Sequence, residues 1–177
     1  MPVAWRIGDE GDGWAIARYL LEFERGGFVM NGRLRRKFAR VQQYVKQAIG
    51  NCSDYEAAAL RSRLVDIDID LLALAAAELR VALSFQAGDS PGTEAMILKL
   101  EFTELLQRIE ALGVAALCDA SLAFDRQPDL NGFGTAALLA DARTLVGSYL
   151  NNRAATIYGG SSEIQREIVA RTIAGST

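Results

Sequence analysis

The stretch RAATIYGGSSEIQREIVAR, Arg153 to Arg171, sets two adjacent glycines directly before two serines and an amphipathic run. Glycine reaches positive φ without steric cost and lets a ligand lie against the backbone. Ser162 and Gln165 stand at S-x-x-Q spacing, which predicts a capping box for a last helix running to about Ile173. The N–H groups at such a helix start attract an anion or a polarised carbonyl. By pattern alone the stretch reads either as a tight turn between two helices or as a binding loop. Both readings end the chain in a helix.

Reading outward from there, a helix is predicted from about Thr135 to Tyr149, preceded by the long loop AFDRQPDLNGFG, Ala123 to Gly134. Another helix runs from about Thr93 to Leu117. AGDSPG, Ala87 to Gly92, breaks the chain before it, and Ser90, Pro91 and Glu94 resemble a helix start. A long helix opens at Ser53 or Asp54 and ends near Gln86. Its segment LLALAAAELRVAL is rich in small residues, which let a neighbouring helix approach closely. A shorter helix covers roughly Arg33 to Ile49. The first begins near Gly13, with Trp14, Ala17, Leu20 or Leu21 and Glu24 on one side. The glycines of GGF, Gly26 to Phe28, bend or loosen its end. RIGDEGDGW, Arg6 to Trp14, reads as a loop. No strand pattern occurs. The expected fold is all-α: an antiparallel four-helix up-and-down bundle with short additional helices, residues 1–177 forming one domain.

Composition supports a globular helical chain. Half of the 177 residues are hydrophobic and only three are proline. A net charge of −3 argues against a nucleic-acid surface. No apolar run reaches the ~18 residues of a membrane span, so a soluble, cytoplasmic protein is expected. Histidine is absent. That excludes His-based triads, His metal sites and the Glu-x-x-His pairs of ferritin-like bundles. Acid–base chemistry must then come from a carboxylate, Lys, Tyr or Cys. Cys52 and Cys118 lie far apart, with no CxxC pair for zinc. The basic run RLRRKFAR, Arg33 to Arg40, reads as a solvated helix face.

The terminal stretch resembles the C-terminal signature of the acyl-CoA dehydrogenase family. IGDEGDGWAIARYLLEFER, Ile7 to Arg25, resembles the opening of that family's C-terminal helical domain, and PGTEAMILKLEFTELLQRIEALG, Pro91 to Gly113, its middle helix. The resemblance implies an FAD-dependent oxidoreductase that desaturates an acyl-CoA thioester between Cα and Cβ. It implies that this chain holds only the last domain, without the N-terminal helical and middle β domains, and is inactive when isolated. An electron-transfer flavoprotein is the implied electron acceptor, and a homo- or hetero-oligomer, dimer or tetramer, the implied assembly.

Many members of the family carry a catalytic Glu directly after the Tyr of the terminal motif. Here that position is Gly159. Relatives resembling the isovaleryl- and long-chain-type enzymes place the base before an Arg in the first helix of the domain. LEFER supplies that pair as Glu24 and Arg25, with Glu22 as a nearby competitor. The resemblance thus implies Glu24 as general base and the backbone N–H of Gly159 as a donor to the thioester carbonyl. It further implies Tyr158, Gly160, Ser161 and Glu163 as flavin contacts, and Arg25 and Tyr158 as substrate contacts. Two family features are missing. The R-x-x-F-G arginine that meets the flavin pyrophosphate is replaced by IGNCSD, and the Q-x-x-G-G motif by GSYLNNRAA. These departures leave a second reading, a non-catalytic helical subunit or oligomerisation module of a heteromeric enzyme.

Overall fold

The computed structural model describes residues 2–26, 31–89, 92–117 and 144–175, with the backbone alone for residues 21–26. Among the described residues six helical elements follow in order: α1 (Gly13–Gly26), α2 (Asn31–Ile49), α3 (Asp54–Gln86), α4 (Gly92–Leu117), residues 144–151 (α5) and α6 (Ser162–Ile173). Short 3-10 turns occupy Val3–Trp5 and Asn152–Thr156. Among the described residues there is no strand. The all-α expectation therefore holds.

Local chemistry explains the boundaries. Ser53 caps α3: its Oγ accepts from Glu56 N at 3.4 Å, while Glu56 Oε2 accepts from Ser53 N at 3.0 Å. This reciprocal pair satisfies two donors that the helix start would otherwise leave open. At the other end, Gly88 takes φ +89° and turns the chain away. The start of α2 is tied down differently. Asn31 is buried, its Nδ2 donates to Leu71 O at 2.7 Å, and its N–H donates to Glu78 Oε1 at 2.8 Å.

The core lies between α2, α3 and α4, which pack pairwise against one another. Leu34 and Val45 from α2, Leu71 from α3, and Ile109 and Leu112 from α4 are fully buried. Each contributes about 1.5–3 kcal/mol of burial. Leu145 of α5 joins the same cluster. Short links at residues 50–53 and 87–91 make α2, α3 and α4 antiparallel neighbours. Gly113 lets its neighbours approach closely: a Cβ there would lie 2.7 Å from Leu145 Cδ2 and 3.0 Å from Val41 Cγ2.

Three expectations need correction or restriction. On the side of α1 that the spacing marks out, Trp14 and Leu20 are exposed and Ala17 is half-buried, while the side chains of Leu21 and Glu24 lie outside the described residues. The helix forms where predicted, but its neighbour α4 leaves Trp14 and Leu20 uncovered. Within the basic run, Lys37 is not a solvated charge; it pairs with the buried Glu110 across the α2–α4 contact. The loop Ala123–Gly134, the start of the helix predicted from Thr135, and the Ser90–Pro91 start signal lie outside the described residues.

Candidate functional site

The glycine loop begins where α5 tightens into the Asn152–Thr156 turn. Ile157 N and Tyr158 N both donate to Ala154 O, at 2.9 and 3.1 Å. The chain then reverses through Gly159 at φ +67° and Gly160 at φ +95°. At Gly159 a Cβ would meet nothing nearer than Lys99 Cε at 3.9 Å. Conformation, not space, requires glycine there. Ile157 and Tyr158 are exposed beside the turn, an aliphatic and an aromatic surface next to a helix start.

Two long side chains hold the loop from below. Lys99 Nζ of α4 donates to Gly160 O at 2.8 Å. Gln165 Nε2 of α6 donates to Gly159 O at 3.1 Å and to Gly160 O at 2.9 Å. The capping expectation is corrected here. The N-cap of α6 is Ser161, whose Oγ accepts from Ile164 N at 3.4 Å. Ser162 lies one residue inside the helix and is buried. S-x-x-Q spacing suits either arrangement. Gln165 is fully buried, so its amide reaches inward to the loop carbonyls rather than outward to a cap N–H. Among the described residues, Ser162 Oγ and Gln165 Oε1 are buried and find no hydrogen-bond partner.

Glu163 occupies the exposed first turn of α6. A hydrogen bond from its own backbone N–H, then one with Ser161, holds its carboxyl below the usual range. It remains an anion at the positive end of the helix. On the flank of α4, burial first, then the nearby Glu104 and Asp70 charges, push the Glu101 carboxyl up.

Deeper in, Glu110 anchors the segment that feeds the loop. Its Oε1 accepts from Lys37 Nζ, from Ser148 Oγ at 2.6 Å and from Asn152 Nδ2 at 2.7 Å. Gln107 Nε2 donates to Asn152 O at 2.9 Å. Asn152, the first residue of the turn before the glycines, is thus pinned to α4 by both its side chain and its carbonyl. Sequence reasoning did not single out Lys99, Gln107, Glu110 or Asn152. One signal existed for Glu110: it lies on the inward face of α4, one residue after Ile109 and three before Gly113. Lys99 carried none.

Glu24 and Arg25 fall in the last turn of α1; their side chains lie outside the described residues. α1 packs on α4, as does α6. The helix carrying Glu24 and the loop carrying Gly159 therefore share one neighbour.

The sequence profile of the acyl-CoA dehydrogenase C-terminal domain matches residues 11–174. The chain belongs to this family. The acyl-CoA dehydrogenase IpdE1 of Mycolicibacterium smegmatis is 29% identical over 175 residues, covering 96% of this chain and 38% of the relative. Among solved structures, apo-form PigA is similar with a TM-score of 0.73 at 22% identity, covering all of this chain and 43% of that one. The prolyl acyl carrier protein oxidase AnaB gives a TM-score of 0.68 at 22% identity, over 98% of this chain and 42% of that one. A structure of PigA with FAD and proline aligns as well, with a TM-score of 0.70 at 20% identity, over 98% of this chain and 42% of that one. At these identities the structural likeness establishes the fold. This acyl-CoA dehydrogenase C-terminal domain spans about two fifths of the length of its relatives.

Proposed function

We propose that the chain is the C-terminal helical domain of an FAD-dependent acyl-CoA dehydrogenase that desaturates an acyl-CoA between Cα and Cβ. The observation that carries the proposal is the glycine loop of a family member, braced by Lys99 and Gln165, with no side chain at the position after Tyr158. A loop without a carboxylate needs its base elsewhere, and Glu24 on α1 supplies one.

The surroundings of the loop suit a flavin edge. Tyr158 and Ile157 offer an exposed, largely apolar surface. Gly160, Ser161 and Glu163 line the helix start beside it, where N–H groups favour polar acceptors. Bound FAD would supply the acceptor for the hydride that leaves Cβ. Glu24 takes the proton from Cα into its carboxylate. Burial under an acyl chain raises such a carboxyl towards the range suited to a general base. Gly159 donates its N–H to the thioester carbonyl, acidifying the Cα proton by oxyanion-type stabilisation. Arg25 and Tyr158 position the substrate. Electrons pass on to an electron-transfer flavoprotein, in the cytoplasm.

The second reading, a non-catalytic subunit, draws on one observation. Where relatives place the pyrophosphate-binding arginine, this chain spends its residues on the Ser53–Glu56 cap of α3. Anaerobic titration of the full-length parent with acyl-CoA thioesters separates the two. The enzyme reading expects flavin bleaching in wild type, and binding without bleaching in Glu24→Gln. A parent purified without flavin, and unable to take it up, belongs to the second reading. A Glu24→Gln variant that bleaches at the wild-type rate removes Glu24 from the mechanism.

A further inference from the structure

Gly159 and Gly160 stand in succession at φ +67° and +95°. A glycine pair has no strong preference of its own for one conformation, so the direction of its N–H groups is set from outside. Two tethers set it, and they differ in where they are anchored. Gln165 belongs to α6, the helix that the loop opens, and travels with the loop. Lys99 belongs to α4, and its Nζ donates to Gly160 O at 2.8 Å. Its half-buried side chain runs beneath the loop: a Cβ at Gly159 would lie 3.9 Å from Lys99 Cε. With the carbonyls of Gly159 and Gly160 turned to these donors, planar trans peptides send the N–H groups of Gly160 and Ser161 the opposite way. α1, the helix of Glu24, also packs on α4. Lys99 therefore ties the loop to a helix that both halves of the proposed chemistry share.

We propose that Lys99 is a positioning residue for the desaturation: by holding Gly160 O from α4, it fixes the Gly159 donor at the separation from Glu24 that a thioester must span. The role rests on that reaction, in which the carbonyl lies at Gly159 and the Cα proton at Glu24. Lys99 acts through the loop backbone. An ammonium suits the task, because a charge-assisted bond is about twice as strong as a neutral one. Its charge also reaches the start of α6. There it helps to hold the Glu163 carboxyl down, after that residue's own backbone N–H, Ser161 and Arg166.

The full-length parent tests the role with two variants. Lys99→Met keeps the length and loses the donors; Lys99→Arg keeps both charge and donors. In anaerobic titration with acyl-CoA, Lys99→Met should bleach about ten- to a hundredfold more slowly, as a misplaced donor does. Thioester binding should change little, and Lys99→Arg should recover most of the rate. A 3-thiaacyl-CoA separates positioning from folding. It can lose its Cα proton but has no Cβ hydrogen to give up, and its enolate absorbs at long wavelength beside oxidised flavin. A donor that has drifted stabilises the enolate less. The apparent pKa of enolate formation should therefore rise in Lys99→Met, by about one pH unit for each tenfold loss of stabilisation. In the 177-residue chain itself, without flavin, amide exchange at Gly159 to Ser161 should be faster in Lys99→Met. A bleaching wild type with Lys99→Met at the wild-type rate overturns the role and leaves the reaction standing. An equal loss in Lys99→Met and Lys99→Arg, with the enolate pKa unmoved, assigns Lys99 to packing and overturns the role as well. A wild-type parent that never bleaches removes the reaction, and this role with it.

Discussion

Gln165 has one amide nitrogen and uses it on two carbonyls, those of Gly159 and Gly160. Lys99 donates to the Gly160 carbonyl as well. Gln165→Leu should therefore leave the Gly159 carbonyl without the donor that Gln165 supplied. That costs about 1–3 kcal/mol, read by urea denaturation, and speeds amide exchange at residues 157–161. Gln165→Glu should not rescue it, because an ionised carboxylate has no proton to donate. Glu110 makes a sharper case. It is fully buried, and its charge is answered by Lys37, Ser148 and Asn152. Glu110→Leu leaves Lys37 without that carboxylate and should cost about 3–5 kcal/mol. Glu110→Leu with Lys37→Met should recover most of that loss, giving a large coupling energy in a double-mutant cycle. Additive single costs would show that the pair does not act as a unit. These residues also mark where sequence reading stops. Gln165 was read as a cap because a cap and an inward tether share one spacing. Glu110 meets Asn152 from 42 positions away, and no local pattern predicts a contact made by the fold.

At the scale of elements, the helix starts and stops were readable because each has its own chemistry: Gly13 opens α1, Ser53 caps α3, and glycines flank the break before α4. Which face turns inward was less so. α3 carries two apolar stripes, so periodicity alone cannot choose between them. On α1, Trp14 and Leu20 stay exposed. Packing between elements is tight at Gly113. Gly113→Ala adds a methyl 2.7 Å from Leu145 and should destabilise by about 1–3 kcal/mol despite alanine's better helix propensity. A stabilised variant in chemical denaturation would mean α5 can move aside at no cost. The α3 cap gives a pH signature. The Ser53 side chain first, then the Ser53 backbone N–H, hold the Glu56 carboxyl below its usual range. A carboxyl lowered on folding contributes stability above its unfolded pKa of about 4.3 and loses it as pH falls through the folded value. The stability gap between wild type and Ser53→Ala should therefore narrow in acid, below about pH 4. Denaturation midpoints of both proteins across that range check the sign.

At the scale of the whole molecule, the surface carries apolar groups on several sides at once. Trp14, Tyr19 and Leu20 are exposed on α1, Ile157 and Tyr158 on the glycine loop, and Val65, Ile69, Leu72, Leu79 and Leu83 on α3. The family's resemblance located the loop and the helix of the proposed base, yet both present their apolar surface to solvent in this chain. Catalysis of the proposed kind needs the opposite. A carboxylate in water keeps a pKa near ~4.3 and is a weak base. A thioester carbonyl that receives one backbone N–H in water gains little over solvent, because the bond only replaces one to water. Both become effective when water is excluded, and here the walls of such a site stay open. The isolated 177-residue chain should therefore give no acyl-CoA-dependent dye reduction above background, even with FAD added, while the longer parent turns over. The assay is run at one protein concentration for both, with Glu24→Gln parent as the blank. Dye reduction by the isolated chain would mean that its own surfaces exclude water well enough for the chemistry, and would remove the need for a wall supplied from outside the 177 residues.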